Sequence, residues 1–385
     1  MRASIIGVGL TASVIAALTV SASANAQQYS LIRLVASEDF ANNLQPGTRI
    51  INSAGQVIGN NNNGVGYLYS KGALTAIPPL ATHHPNAFSI NDSGQVTGLA
   101  YSAGGPLHAY LYSSSSETII DLGTLNGSSG VSIGYVINRG GQVAGISAPG
   151  GGDFNNEVFL YSSGSLINLN LPTPNGHPTG ISNTDDIVGT SGNSAYLYSN
   201  GTTTDLGPGL PPVISANGHV GGTGSTSDGG VLGFVYRNGR EVSIGTLNGG
   251  TVTFLNAINN KGQATGYGDT ATSSEIAFLY SNGTLTNLGV CCGFTQSVGN
   301  AINNRGEITG QLVAPNGRGH GFLYSNGVMI DLNTLVAGSK LAKSFVIDDG
   351  VAINDDGWIV AEGYNSRTFL TYELLLKPEG KRASP

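Results

Sequence analysis

The sequence is short of charge: only 10% of its 385 residues are Asp, Glu, Lys or Arg, against about 25% in an ordinary globular domain. Disordered chains are usually charge-rich and poor in apolar residues, so this deficit argues against disorder. The net charge of −7 excludes a general nucleic-acid binder, which needs a basic stripe to displace counterions. Cysteine is nearly missing. Cys291 and Cys292 are adjacent and are the only two, and no histidine stands at zinc spacing from them. What is abundant is glycine, 59 residues. Each Gly inside a helix costs about 1 kcal/mol relative to Ala, so long helices are disfavoured. The 39% of hydrophobic residues is enough for a core, and the pattern points to an all-β chain.

Residues 1–26 read as a secretory signal peptide. Arg2 gives the positive start, Ile5 to Val20 is an uncharged apolar run, and Ala24 and Ala26 fit the small-residue cleavage pattern. The run is short for a membrane span. After cleavage, residues 27–385 would form a single domain, extracellular or periplasmic, monomeric and without a membrane span.

That domain repeats. Ile258-Asn259-Asn260-Lys261-Gly262-Gln263-Ala264-Thr265-Gly266 recurs as Ile302-Asn303-Asn304-Arg305-Gly306-Glu307-Ile308-Thr309-Gly310. Further copies start at Ile51, Ile90, Ile137 and Ile353, and eroded ones at Ile181 and Ile214. The spacing is about 43 residues, the period of propeller blades built from four short strands. In the best-preserved unit the predicted strands are Phe254–Asn259, Gln263–Tyr267, Ala277–Ser281 and Thr284–Leu288, with Asn282-Gly283 as a two-residue hairpin turn. The third strand is apolar on both faces, as a blade sandwiched between two others requires. The last unit, with Trp358-Ile359-Val360 and then Phe369-Leu370, lacks a fourth strand, and Tyr29–Leu34 matches the missing one. The reading is therefore a β-propeller of about eight four-stranded blades closed by an N-terminal strand, with seven blades as the alternative.

The repeat resembles the bacterial HAF-repeat family of extracellular repeat proteins. The likeness rests on Ile-Asn-x-x-Gly-Gln-x-x-Gly, on His108-Ala109-Tyr110-Leu111-Tyr112 and His320-Gly321-Phe322-Leu323-Tyr324, and on the Asp121-Leu122-Gly123 and Asp205-Leu206-Gly207 endings. It implies export and a propeller-like fold, and brings no catalytic residues with it.

No catalytic constellation emerges from the pattern. The third-strand aromatics, from Tyr67 and Tyr69 to Phe322, Tyr324 and Phe369, are expected to pack between blades. His108 and His320 hold equivalent places in two units and are expected to make structural hydrogen bonds. No metal ligand set and no cofactor motif is present. The turns Asn-x-x-Gly and Asn-Gly lie on one face of the ring, and the variable loops on the other. Scaffolds concentrate function in such loops, so His83, His84, Asp153, Glu157, Asp228 and Asp269 are the candidate ligand-binding residues, for a glycan, a peptide or a surface protein. Consecutive Cα atoms about 3.8 Å apart are closer than a disulfide favours. Cys291 and Cys292 could thus be free thiols, bond between chains or close a strained vicinal bridge; an oxidising compartment favours the last. The functional expectation is a non-enzymatic exported binding propeller. The alternative is a polysaccharide hydrolase or lyase with two loop carboxylates facing one sugar bond.

Overall fold

The structure, a computed structural model, describes residues 28–36, 48–150, 155–226, 229–237, 239–272 and 275–380. The signal-peptide segment, Asp153 and Asp228 lie outside the described residues.

The strands form seven antiparallel sheets that make eight blades arranged as a ring. Blade 1 consists of Val57–Asn60, Gly66–Ser70 and Ala73–Ala76, with Ile51 bridging to Val57 as its inner edge. Blades 2, 3, 6 and 7 are regular four-stranded sheets. In blade 6 the strands are Thr253–Ile258, Ala264–Gly268, Ile276–Ser281 and Thr284–Gly289, within a residue or two of the sequence reading. Blades 4 and 5 share one sheet of seven strands, because Thr202–Ile214 runs without a break from the outer edge of blade 4 to the inner edge of blade 5. The interval from Ser182 to Ser215 is the shortest between repeats, and no loop is left to separate the two strands.

Blade 8 contains Phe345–Ile353, Ile359–Asn365 and Thr371–Pro378, and the N-terminal strand Tyr29–Ala36 completes it, with Tyr29 opposite Pro378. Tyr29, Leu31 and Leu34 are buried there. One detail of the sequence reading is corrected. Phe369 is not in the third strand of this blade but in the preceding turn, at φ +57° and 75% exposed. The Asn365 side chain accepts the backbone N–H groups of Arg367 and Thr368, turning the chain early, so Leu374–Leu376 supply the buried strand instead.

The repeat motif is explained atom by atom. In blade 6, Asn259 Oδ1 accepts the backbone N–H groups of Lys261 and Gln263, each at 3.0 Å, and so holds the turn. Its Nδ2 donates to the Gln263 Oε1 and, 2.8 Å away, to the carbonyl of Asn303 in the next blade. The same inter-blade link joins Asn303 to Asn354, Asn354 to Asn52, Asn52 to Asn91, Asn91 to Asn138 and Asn138 to Ser182, all at 2.9–3.0 Å. Ser replaces Asn at 182 and 215, and there backbone and neighbouring contacts (Asn183 to Ala216, Asn217 to Asn260) join the turns. The final Gly of the motif has a separate cause: a Cβ at Gly266 or Gly310 would run into the carbonyl of Phe254 or Val298, where the inner strand bulges.

Third-strand aromatics fill the gaps between blades. Tyr110, Phe159, Phe278 and Phe322 are completely buried, and a hydrophobic cluster lies between every neighbouring pair of blades. Among the described residues helix is confined to Leu332–Leu335 and a 3-10 turn at Leu341–Lys343, and no helix there is long and apolar enough to cross a membrane.

Candidate functional site

The variable loops build a cavity of about 540 Å³ between blades 3 and 4. Glu157, the first residue of a third strand, points its carboxylate into a frame of amides: Asn168 Nδ2 donates to Oε1 at 2.8 Å and Asn126 Nδ2 reaches Oε2 at 3.4 Å. Asn155, Asn156, Asn170 and three prolines, Pro149, Pro172 and Pro174, complete the walls. The carboxylate oxygens accept these bonds and can accept further ones from a ligand in the cavity.

The other loop-face candidates do not join it. His83 is exposed, contacts Thr82 Oγ1 at 2.8 Å, and lies 5.1 Å from the Tyr101 ring. His84 Nδ1 meets the carbonyl of Ile77 at 2.8 Å. Asp269, in blade 6, accepts from Thr251 N, Thr251 Oγ1 and Val252 N at 2.7–2.8 Å and anchors that loop. Burial alone would raise its carboxyl; these hydrogen bonds outweigh it and hold the carboxyl below its ordinary value. Of the predicted residues that are described, His83 and His84 share one loop, Asp269 lies in another blade, and only Glu157 lines this cavity.

Cys291 and Cys292 are thiols in contact, Sγ to Sγ 2.6 Å. Burial, reinforced by Cys292, pushes the Cys291 thiol up to about 12, which keeps it protonated and unfit as a nucleophile near neutrality. His108 pairs through Nδ1 with Asp121 at 2.9 Å, and His320 with Asp331 at 2.7 Å, each within its own blade. These are structural bonds in equivalent places. Among the described residues no group of three His, Cys, Asp or Glu side chains could hold a metal ion.

Two features escaped the sequence reading. On the innermost strands of blades 2 to 4, Phe88 stacks on Tyr135 at 5.9 Å between centroids, and the His177 ring lies tilted against Tyr135 at 4.1 Å. Phe88 and Tyr135 stand three residues before the ring Asn of their units, at the bulge, where Arg49, Thr179, Asn256 and Asn300 stand elsewhere. The signal was available as a varying position inside a constant strand. The second feature is a row of acids in blade 8. Asp349, Glu362 and Glu373 face one another across three strands. Glu373 is fully buried and hydrogen-bonded to the Tyr67 hydroxyl, and burial raises its carboxyl well above the ordinary value. Asp349 is raised likewise, by burial and then by the charges of Asp348 and Glu362.

No protein-family model and no curated protein matches the chain in sequence. Solved structures that are similar in shape are propellers or contain them. The β-propeller domain of the Trilobed protease from Pyrococcus furiosus matches at 9% identity and TM-score 0.45, over 80% of this chain and 98% of that one. A prolyl endopeptidase matches at 9% and 0.48 over 77% and 50%, and TolB from Acinetobacter baumannii at 12% and 0.36 over 60% and 62%. The chain thus spans half to three fifths of the latter two. These superpositions are loose, and the propeller assignment stands on the chain's own sheet topology.

Proposed function

We propose that this chain is an exported, non-enzymatic propeller that binds a glycan, a peptide or a surface protein through its loop face. The observation that carries the reading is the cavity between blades 3 and 4, where a carboxylate fixed by two amides sits among Asn side chains and prolines. Such a wall offers many neutral donors and acceptors on a rigid rim, the composition that suits hydroxyl- or peptide-bearing ligands. Export is supported by the leader-like segment ahead of Gln27 and by the resemblance to an extracellular repeat family.

The test is a screen of glycans, polysaccharides and peptides scored for both binding and turnover. A hit that binds without being cleaved, and that weakens about tenfold or more in Glu157→Gln through the lost charge-assisted hydrogen bond, supports the reading. Cleavage of a polysaccharide would replace it with the hydrolase or lyase alternative.

A further inference from the structure

A second cavity, larger than the one beside Glu157, lies on the opposite face. It has a volume of about 880 Å³ and opens among the turns of blades 8, 1 and 2. Its origin is a departure from the repeat. Four units carry Gln four residues after the ring Asn, and a fifth carries Glu307. In blades 1, 3 and 6 that Gln donates to the Ser ending the third strand, Gln56 to Ser70, Gln142 to Ser162 and Gln263 to Ser281, at 3.1–3.2 Å. In blade 8 the Gln is replaced by Trp358. Since Ile359 pairs with Leu376, the next place in register belongs to Lys377 rather than a serine. The Lys377 ammonium lies 4.9 Å from the centroid of the Trp358 ring. A hydrogen-bonded pair has become a cation–π pair, and both partners line the cavity.

We infer that this cavity is a binding site for an acidic saccharide. Its volume falls in the range of about 300–1,000 Å³ usual for ligand pockets. Trp358 is half-buried, a flat apolar surface suited to the C–H face of a sugar ring. Lys377 is exposed on a flexible stem and can swing from the indole to meet a carboxylate. Ser70, Ser93, Ser114 and Ser115 supply hydroxyl groups around them. The charges present select an anion. Asp92 is paired with Arg49, which leaves Lys71 and Lys377 against the single carboxylate of Glu117. This local excess of positive charge stands out on a chain whose net charge is −7. It acts within a Debye length of about 10 Å.

Because Trp358 is the chain's only tryptophan, selectively excited indole emission reports on this cavity and on no other. The intact protein is titrated with oligogalacturonate and with a neutral oligogalactose of equal length. The site assignment predicts a saturable emission change with the acidic sugar, at least about tenfold weaker with the neutral one, and suppressed by salt. Calorimetry on Lys377→Ala, a surface change, should show about a threefold to fivefold loss. Trp358→Gln, which restores the repeat residue, should lose binding, whereas Lys261→Ala, an exposed turn residue of blade 6 outside the cavity, should bind as the parent does. An unchanged emission across the acidic series, equal affinity for neutral and acidic sugars, or full binding by both Lys377→Ala and Trp358→Gln would overturn the inference.

Discussion

One side chain, the ring asparagine, performs three tasks that usually need three residues: it holds a turn, anchors its own blade's Gln, and reaches the neighbouring blade. Asn259→Ala should therefore lose about 1–3 kcal/mol, because the backbone groups it satisfied are left buried without partners, measured from the midpoint of denaturant unfolding. Asn259→Ser, the exchange already present at 182 and 215, should lose less. The buried carboxyls of blade 8 set a pH dependence. Glu373 and Asp349 keep their protons in the fold at pH values where the unfolded chain has released them, since their ordinary values are 4.5 and 3.8. Above that range the folded state binds more protons than the unfolded one, so their contribution makes stability fall as pH rises; below it the contribution is constant. The melting temperature should decline as the pH rises above the ordinary carboxylate range, and Glu373→Gln, facing Tyr67 without a proton to lose, should flatten the decline. For the cysteine pair, an oxidising environment should close a vicinal bridge. Intact mass lower by two hydrogens than after reductant checks it, and free alkylation of both thiols without reductant would contradict it.

Among the strands, the N-terminal one is the most consequential. Without Tyr29–Ala36 the outer edge of Thr371–Pro378 is unpaired, and an open edge invites association with other chains. Deleting residues 27–35 should cost several kcal/mol or produce aggregates, read by thermal unfolding and light scattering; an unchanged monomer would refute the closure. This strand was legible because its pattern matched the fourth strand that blade 8 lacked. Turns were legible for a similar reason: Asn282-Gly283 adopts φ +51° and +83°, the mirror-image turn that the dipeptide announces. The misplaced Phe369 shows where such matching fails. An aromatic followed by Leu resembles the buried third strand elsewhere, but the register in blade 8 depends on the Asn365 turn, which the repeat pattern does not announce. The Trp358 cavity was hidden for a related reason. Trp358 could be seen in the sequence, but its partner Lys377 is set by cross-strand register, and the cavity's walls come from three blades at once. Glu157 was legible as a loop carboxylate, whereas its amide partners, Asn168 at the end of the adjacent strand and Asn126 in the preceding inter-blade loop, are set by register and loop path.

At the scale of the ring, the asparagine ladder and the polypeptide are complementary. The ladder runs from blade 6 through 7, 8, 1, 2 and 3 to blade 4. It thus crosses from blade 8, where the N-terminal and C-terminal strands pair, to blade 1. It is missing between blades 4 and 5, where Thr202–Ile214 passes straight from one blade to the next, and between blades 5 and 6, where Asn217 bonds to Asn260 instead. The molecule should accordingly tolerate relocated chain ends unevenly. A circular permutant joining Pro378 to Tyr29 through a flexible linker and opened between blades 2 and 3, near Gly127, retains a ladder link across its new gap and should fold. One opened at Gly207–Pro208 would sever the strand that replaces the ladder, leaving that boundary with its apolar contacts and a few turn bonds, and should melt well below the first.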